Sequence, residues 1–142
     1  MKIYLDAAKR GIMNGFSVTA IMAKVIIPCY ILIEFIKFYD LITPLANFFK
    51  PFMRLFDLPG EAAFGLIAGF FINLYAAIAV LSPLNLSSKD ITVCALILGI
   101  CHSLLVETPV TKKAGVNYLS LLLLRIFLGF FSGLLLSLLW KT

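Results

Sequence analysis

Between Cys101 and Gly115 the chain gathers an imidazole (His102), a hydroxyl (Ser103), a carboxylate (Glu107), the pair Thr108-Pro109 and two lysines, Lys112 and Lys113. An apolar run from Ile91 leads into them. An imidazole titrates near neutral pH and can carry a proton. A carboxylate beside it can share that proton or balance a cation, and the hydroxyls can donate or accept. At a soluble helix end this set would be ordinary. Within an apolar chain it is costly, and such groups usually face a bundle interior or a water-filled path. Pro109 removes a backbone donor and disfavours helical dihedrals at Thr108. The stretch therefore predicts a membrane helix that breaks over residues 107–115 and presents polar groups to a site.

Other residues carry an open choice between structure and chemistry. His102 has Gly99 and Ala95 on its own helix face, so a partner can approach closely. It reads either as a hydrogen-bonded core residue or as a ligand or proton carrier. Asn73 lies in an uncharged run with Gly65, Gly69 and Ala77, which recur every four residues. Such a stripe lets helix backbones approach. The amide of Asn73 then serves as glue between helices or as a solute or ion contact. Arg125 lies mid-run with Gly129, Gly133 and Ser137 continuing its stripe. A guanidinium keeps its proton, so it needs a partner, and Glu107, Glu61 and Glu34 are the candidates. Lys24 lies inside the first apolar run, four residues before Pro28. It either snorkels along its own stem or faces an internal polar path. No second His, Cys or Asp stands at ligand spacing, so no metal site is predicted. Cys29, Cys94 and Cys101 lie in apolar stretches without a Cys-x-x-Cys pair and read as reduced, packed thiols.

Composition sets the elements that must position these groups. The sequence is 62% hydrophobic and 13% charged, with 13 Phe, against about 25% charged in ordinary soluble domains. The class is all-α integral membrane protein, and 142 residues leave room for roughly four spans of about 20 residues. No space remains for a soluble catalytic domain, and the absence of a Ser/His/Asp set or paired acidic motif argues against an enzyme. The net charge of +5 does not suggest nucleic-acid binding, because no basic run is interleaved with exposed aromatics.

Taken in order, residues 1–15 predict an interfacial segment with Lys2, Lys9 and Arg10 in the headgroup layer. Residues 16–36 predict the first span. It lacks a small-residue cleavage site, so it reads as a retained helix. Residues 41–58 are apolar but interrupted by Pro44, Pro51, Lys50 and Arg54. The uncharged piece Leu41–Phe49 reaches only about 13 Å as a helix and cannot cross a core of about 30 Å. The segment reads as a re-entrant or interfacial hairpin. Residues 62–82 predict the second span, 90–107 the third, with Ser87 or Ser88 capping it and Asp90 in its first turn, and 117–140 the fourth. Trp140 and Lys141 mark the closing interface.

With four spans, Lys2, Lys9, Arg10, Lys89 and Lys141 fall on one side, and Lys37, Lys50, Arg54, Lys112 and Lys113 on the other. Orientation normally follows an excess of Lys and Arg on the cytoplasmic side. The tally here is five against five. A balanced chain can insert in both orientations, and two opposed copies would recreate the inverted repeat found inside many longer transporters.

Two stretches together resemble a known family. Pro51-Phe52-Met53-Arg54-Leu55-Phe56-Asp57-Leu58-Pro59-Gly60-Glu61-Ala62-Ala63, running into Gly69-Phe70-Phe71-Ile72-Asn73-Leu74-Tyr75-Ala76-Ala77, is similar to the first half of the nucleoside-recognition, or Gate, domain. His102-Ser103-Leu104-Leu105-Val106-Glu107-Thr108-Pro109-Val110 with Lys112-Lys113-Ala114-Gly115 resembles the second block of its short stand-alone members. Related regions occur in concentrative nucleoside transporters, ferrous-iron transporter B and spore maturation proteins A and B. The resemblance implies a core of hairpin plus broken helix, present as two repeats. It also implies a solute site lined by Asn73, His102, Ser103, Glu107 and Thr108, and a hairpin-to-helix junction at Pro59, Gly60 and Glu61. A bacterial inner (plasma) membrane is implied, with several crossings. Only one repeat is present here, so a second copy or a paralogue must complete the site.

The expected function is transport of a small polar solute at the interface of oppositely oriented copies. No cofactor is expected, and coupling to Na+ or H+ is open. The expected partners are membrane lipid, an antiparallel homodimer or paralogous heterodimer, and the solute. The alternative is a non-transporting membrane subunit that stabilises or gates another protein.

Overall fold

The computed structural model describes residues 2–140, so Lys141 lies outside it. Among the described residues there are seven α-helices and one 3-10 turn. Helix α1 runs over Lys2–Phe38 without interruption, carrying Pro28 inside it. The interfacial segment and first span expected separately are thus one helix, about 55 Å long. Its half from Val25 onward packs through Ile33 and Cys29 on Ala68, Ala76 and Val80. From Tyr4 to Ile21 it is exposed along its whole length.

Asp40 takes a left-handed conformation (φ 52°), and the Leu41 amide donates to the Ile36 carbonyl, which closes the end of α1. Helix α2, Ile42–Met53, contains Pro51 and passes into the 3-10 turn Arg54–Phe56. The same closure follows, with Asp57 left-handed and the Leu58 amide on the Met53 carbonyl. Over 41–58 the chain is one helix and a 3-10 turn, and it doubles back just beyond, where Gly60 packs on the Ala46 backbone. At 12 residues, α2 is about 18 Å long and falls short of a bilayer core.

A hairpin of two helices follows. Helices α3, Ala62–Phe71, and α4, Leu74–Leu81, replace the single span expected over 62–82. Ile72 and Asn73 leave helical dihedrals (φ/ψ −104/−85° and −171/174°). The two helices then fold back on each other. A side chain at Gly65 would run into Leu81, and a Cβ at Gly69 would lie 3.1 Å from that of Ala77. These pairings are symmetric about Asn73, as an antiparallel helical hairpin requires. The four-residue spacing of small residues does permit close approach, but between the two arms of this hairpin.

Helix α5, Ser88–Cys101, begins at a capping box in which Ser87 and Asp90 satisfy each other's amides. It forms the centre of the molecule: Val93, Cys94, Ile97 and Cys101 are fully buried. Helix α6 covers Leu104–Lys113 and α7 covers Tyr118–Leu139. The break between α5 and α6 falls at His102–Ser103, ahead of the expected 107–115, and Pro109 is carried inside α6. Gly129 and Gly133 bring α7 against α5, at Cys101 and Ile97. Among the described residues, three stretches are long and apolar enough to cross a membrane: Tyr4–Phe38, Ser88–Lys113 through its break, and Tyr118–Leu139.

Candidate functional site

The two interruptions, at Ile72–Asn73 and at His102–Ser103, are tied together. The Ser103 amide donates to the Gly69 carbonyl over 2.8 Å. That bond joins the end of α3 to the start of α6. Gly69 sits so close to Leu98 of α5 that a Cβ would overlap its side chain. The glycine thus sets the crossing of hairpin and broken helix.

Each interruption frees backbone groups that need partners, because unsatisfied groups in a membrane cost several kcal/mol. At the hairpin tip, Asn73 caps α4: its Oδ1 accepts from the Ala76 amide at 2.9 Å. The Ile72 and Asn73 amides both reach the Ala68 carbonyl. The Asn73 side-chain nitrogen Nδ2 has no hydrogen-bond partner among the described residues.

At the second break, the last carbonyls of α5 are taken by side chains. His102 Nδ1 lies 3.0 Å from the Leu98 carbonyl. Arg125 of α7 donates through Nε to the Ile100 carbonyl at 2.8 Å and through Nη2 to the His102 carbonyl at 3.2 Å. Its Nη1 pairs with Glu107 Oε2. The other Glu107 oxygen lies 3.5 Å from His102 Nε2. Of the three carboxylates considered for Arg125, the fold selects Glu107. Glu34 pairs instead with Lys37. Glu61 stands at the start of α3 without a side-chain capping bond.

The structure brings His102, Glu107 and Arg125 into one cluster, half-buried at 32%, 40% and 21% side-chain exposure. Those values leave Glu107 reachable from outside. Ser103 lies beside the cluster in a left-handed conformation (φ 53°), and its hydroxyl has no partner among the described residues. The Thr108 hydroxyl donates to the Leu104 carbonyl one turn back, so its proton is occupied within α6. Lys24 does not join them. It is exposed on α1, without a partner among the described residues, so it does not face a polar path inside this chain. Pro59, Gly60 and Glu61 form the turn into α3, away from the breaks. Gly60 is pressed against the backbone of Ala46, where any Cβ would overlap the carbonyl.

Sequence reasoning passed over the Gly69 carbonyl and the carbonyls of Leu98 and Ile100. A backbone group acquires a role only when the helix opens there. One signal was available: Asn73 ahead of Leu-Tyr-Ala-Ala is a good N-cap, which points to a helix start inside the presumed span. Gly99 does face open space. It lines a cavity of about 340 Å³ between α4 and α5, together with Leu74, Ile78, Ala95 and Leu98. This cavity beside the breaks is predominantly apolar. No group of three or more His, Cys, Asp or Glu side chains could hold a metal among the described residues.

An apolar helical bundle built around a tip and a break defines a membrane protein with interrupted helices. The chain belongs to the Gate family, described as nucleoside recognition, which matches residues 19–117. It is 36% identical over 130 residues to an uncharacterized membrane protein of Bacillus subtilis (strain 168), YvoD. The match takes in 92% of this chain but only 42% of that protein. No solved structure matches the chain.

Proposed function

We propose that this chain supplies half of a transport site for a small polar solute, completed by a second copy or a related subunit. The observation that carries the reading is the meeting of the two interruptions through Ser103 and Gly69. It points the N-termini of α4 and α6 toward a common region, the arrangement by which discontinuous helices bind solutes in transporters. The unoccupied Asn73 amide nitrogen and Ser103 hydroxyl would hydrogen-bond a nucleoside-like solute, in keeping with the family's description. His102 and Glu107 would carry a coupled proton. Sodium coupling would use carbonyls near Pro109.

The hairpin α3–α4 would be re-entrant. Lys37 reaches the Pro83 carbonyl at 2.9 Å, and Lys89 pairs with Asp57. The end of α1, the base of the hairpin and the start of α5 therefore share one end of the bundle. With three crossings, Lys2, Lys9, Arg10, Lys112 and Lys113 fall on one side, and Lys37, Lys50, Arg54, Lys89 and Lys141 on the other. The tally stays balanced after the correction, so insertion in both orientations remains the working arrangement. YvoD is more than twice as long as the matched region, which leaves it room for a second such unit.

The test is flux into liposomes holding the purified chain, read with a panel of radiolabelled nucleosides. Uptake should fall at least about tenfold in Glu107→Gln and in Asn73→Ala. Absence of uptake for every member of the panel would sink the nucleoside reading. Orientation is measured separately, by impermeant thiol labelling of single cysteines at Ser88 and Lys113 in a cysteine-free background. Half labelling at both sites means two orientations. Full labelling at one and protection at the other means a single orientation and a paralogous partner.

A second reading, a non-transporting subunit that stabilises or gates a partner, has one observation in its favour. Arg125 directs its donors to groups of its own chain, as a purely structural clamp would. In that case Glu107→Gln would lower stability and leave no flux to lose.

A further inference from the structure

A polar cavity of about 530 Å³ lies between α2 and the turn into α3, at the end of the bundle away from the breaks. Thr43, Asn47, Lys50 and Arg54 line it. Their spacing of four, three and four residues puts them on one narrow face of α2. The opposite wall is Leu58-Pro59-Gly60-Glu61. Gly60 and Leu58 are buried, and the contact of Gly60 with the Ala46 backbone holds this wall tightly against α2. That wall is therefore fixed by packing, while Thr43, Asn47, Lys50 and Arg54 on the other side are exposed.

Its charges are unsatisfied. Other cations at this end are paired, Lys37 with Glu34 and Lys89 with Asp57. The side chains of Lys50 and Arg54 have no hydrogen bond or ion pair among the described residues, and neither has that of Glu61 across the cavity. Two cations and one carboxylate leave a net positive site. The two amphipathic faces of α2 fix its setting. Leu45, Phe48, Phe52 and Leu55 are exposed on the other face, as suits an amphipathic helix lying at a lipid surface with its polar side toward water.

We propose that this cavity binds a phosphate group at the membrane surface, held by the Arg54 fork and the Lys50 ammonium. Arginine matches the planar oxygens of phosphate and lysine adds a point charge. Asn47 and Thr43 supply neutral hydrogen bonds to the remaining oxygens. Basic pockets at this depth receive anionic lipid headgroups, and a free phosphate offers the same oxygens. The site stands independently of the transport reading.

The test uses the full chain in nanodiscs of phosphatidylcholine, titrated with phosphatidylglycerol and, in a separate arm, with inorganic phosphate. Binding is read by native mass spectrometry and by the shift in thermal midpoint. The double variant Lys50→Gln/Arg54→Gln should weaken binding at least about tenfold. Lys112→Gln/Lys113→Gln, with the same change in net charge, should leave it unaltered. Glu61→Gln removes the repelling carboxylate and should tighten binding several-fold, a gain that misfolding cannot imitate. Binding of phosphatidylglycerol that inorganic phosphate does not displace assigns the site to lipid. Displacement by inorganic phosphate assigns it to a soluble anion. Equal weakening by the two double variants, or unchanged affinity in Glu61→Gln, overturns the proposal.

Discussion

The two helix interruptions solve the same problem by different means. At Asn73 the chain turns back on itself, and one neutral side chain from within the turn caps the new helix. At His102–Ser103 the chain continues onward, so only the Leu98 carbonyl is recovered locally and the others need a distant donor. The first is taken by His102 itself and the others by Arg125, 23 residues away in sequence from the His102 carbonyl it binds. The guanidinium then requires a carboxylate, which Glu107 provides from the first turn of α6, where negative charge is favoured. A sharp reversal can therefore be closed with a neutral amide. A break in an otherwise continuous helix imports a charge, and the charge imports its partner.

The largest test of this contrast is Arg125→Leu. It leaves two carbonyls and the Glu107 carboxylate without their donor, and we expect a loss of about 3 kcal/mol. The thermal midpoint in detergent reads it. Arg125→Lys keeps the charge but cannot serve three acceptors in one plane, so its midpoint should fall between wild type and Arg125→Leu. A midpoint equal to that of wild type would mean that charge alone holds the break.

Asn73→Ala should cost about 1 kcal/mol, the usual loss for a helix cap. If Asn73→Ala proves as damaging as Arg125→Leu, the two breaks do not differ in the way described. Gly69→Ala probes their junction. Its Cβ meets the flexible end of Leu98 and the Cβ of Ala77, and overpacking of this kind costs about 1–3 kcal/mol. Replacing Leu98 by Ala in the same chain should recover part of the loss, and equal midpoints for single and double variants would remove Leu98 as the obstacle.

The smallest effect is expected at Ser103. Glycine takes its left-handed backbone without the Cβ penalty, so Ser103→Gly should change stability by less than about 1 kcal/mol. Ser103→Val places a β-branched side chain at φ 53° and should be clearly worse. If transport is seen, Ser103→Gly should still slow it, because the hydroxyl is lost while the backbone is kept.

Parts of this architecture were legible early. Ser87, one of the two caps considered, does cap α5 with Asp90 in its first turn, and the glycines of α7 lie against α5. Glu107 was among the three partners considered for Arg125. The misreadings share a cause. Pro109 drew attention as the breaker, but a proline one and a half turns into α6 is carried there, while the break uses His102 and Ser103, neither of which is a strong helix breaker. The stripe Gly65, Gly69, Asn73, Ala77 reads equally well along one straight helix and across a folded one. The prolines over 41–58 likewise suggested a break, yet Pro51 is accommodated in the last turn of α2, and the chain doubles back only beyond it, before Gly60.

The sequence by itself determined that this chain belongs in a membrane, that a helix starts after its Ser87 cap, and which few polar residues need partners. Those properties are local: they follow from the cost of moving each side chain out of water and from caps formed within a turn. Which interruption reverses the chain, and which carboxylate meets Arg125, only the tertiary structure decided. Both depend on contacts between residues distant in sequence, Gly65 with Leu81, Gly69 with Ser103, and Arg125 with the end of α5. Such contacts exist only once the helices have packed.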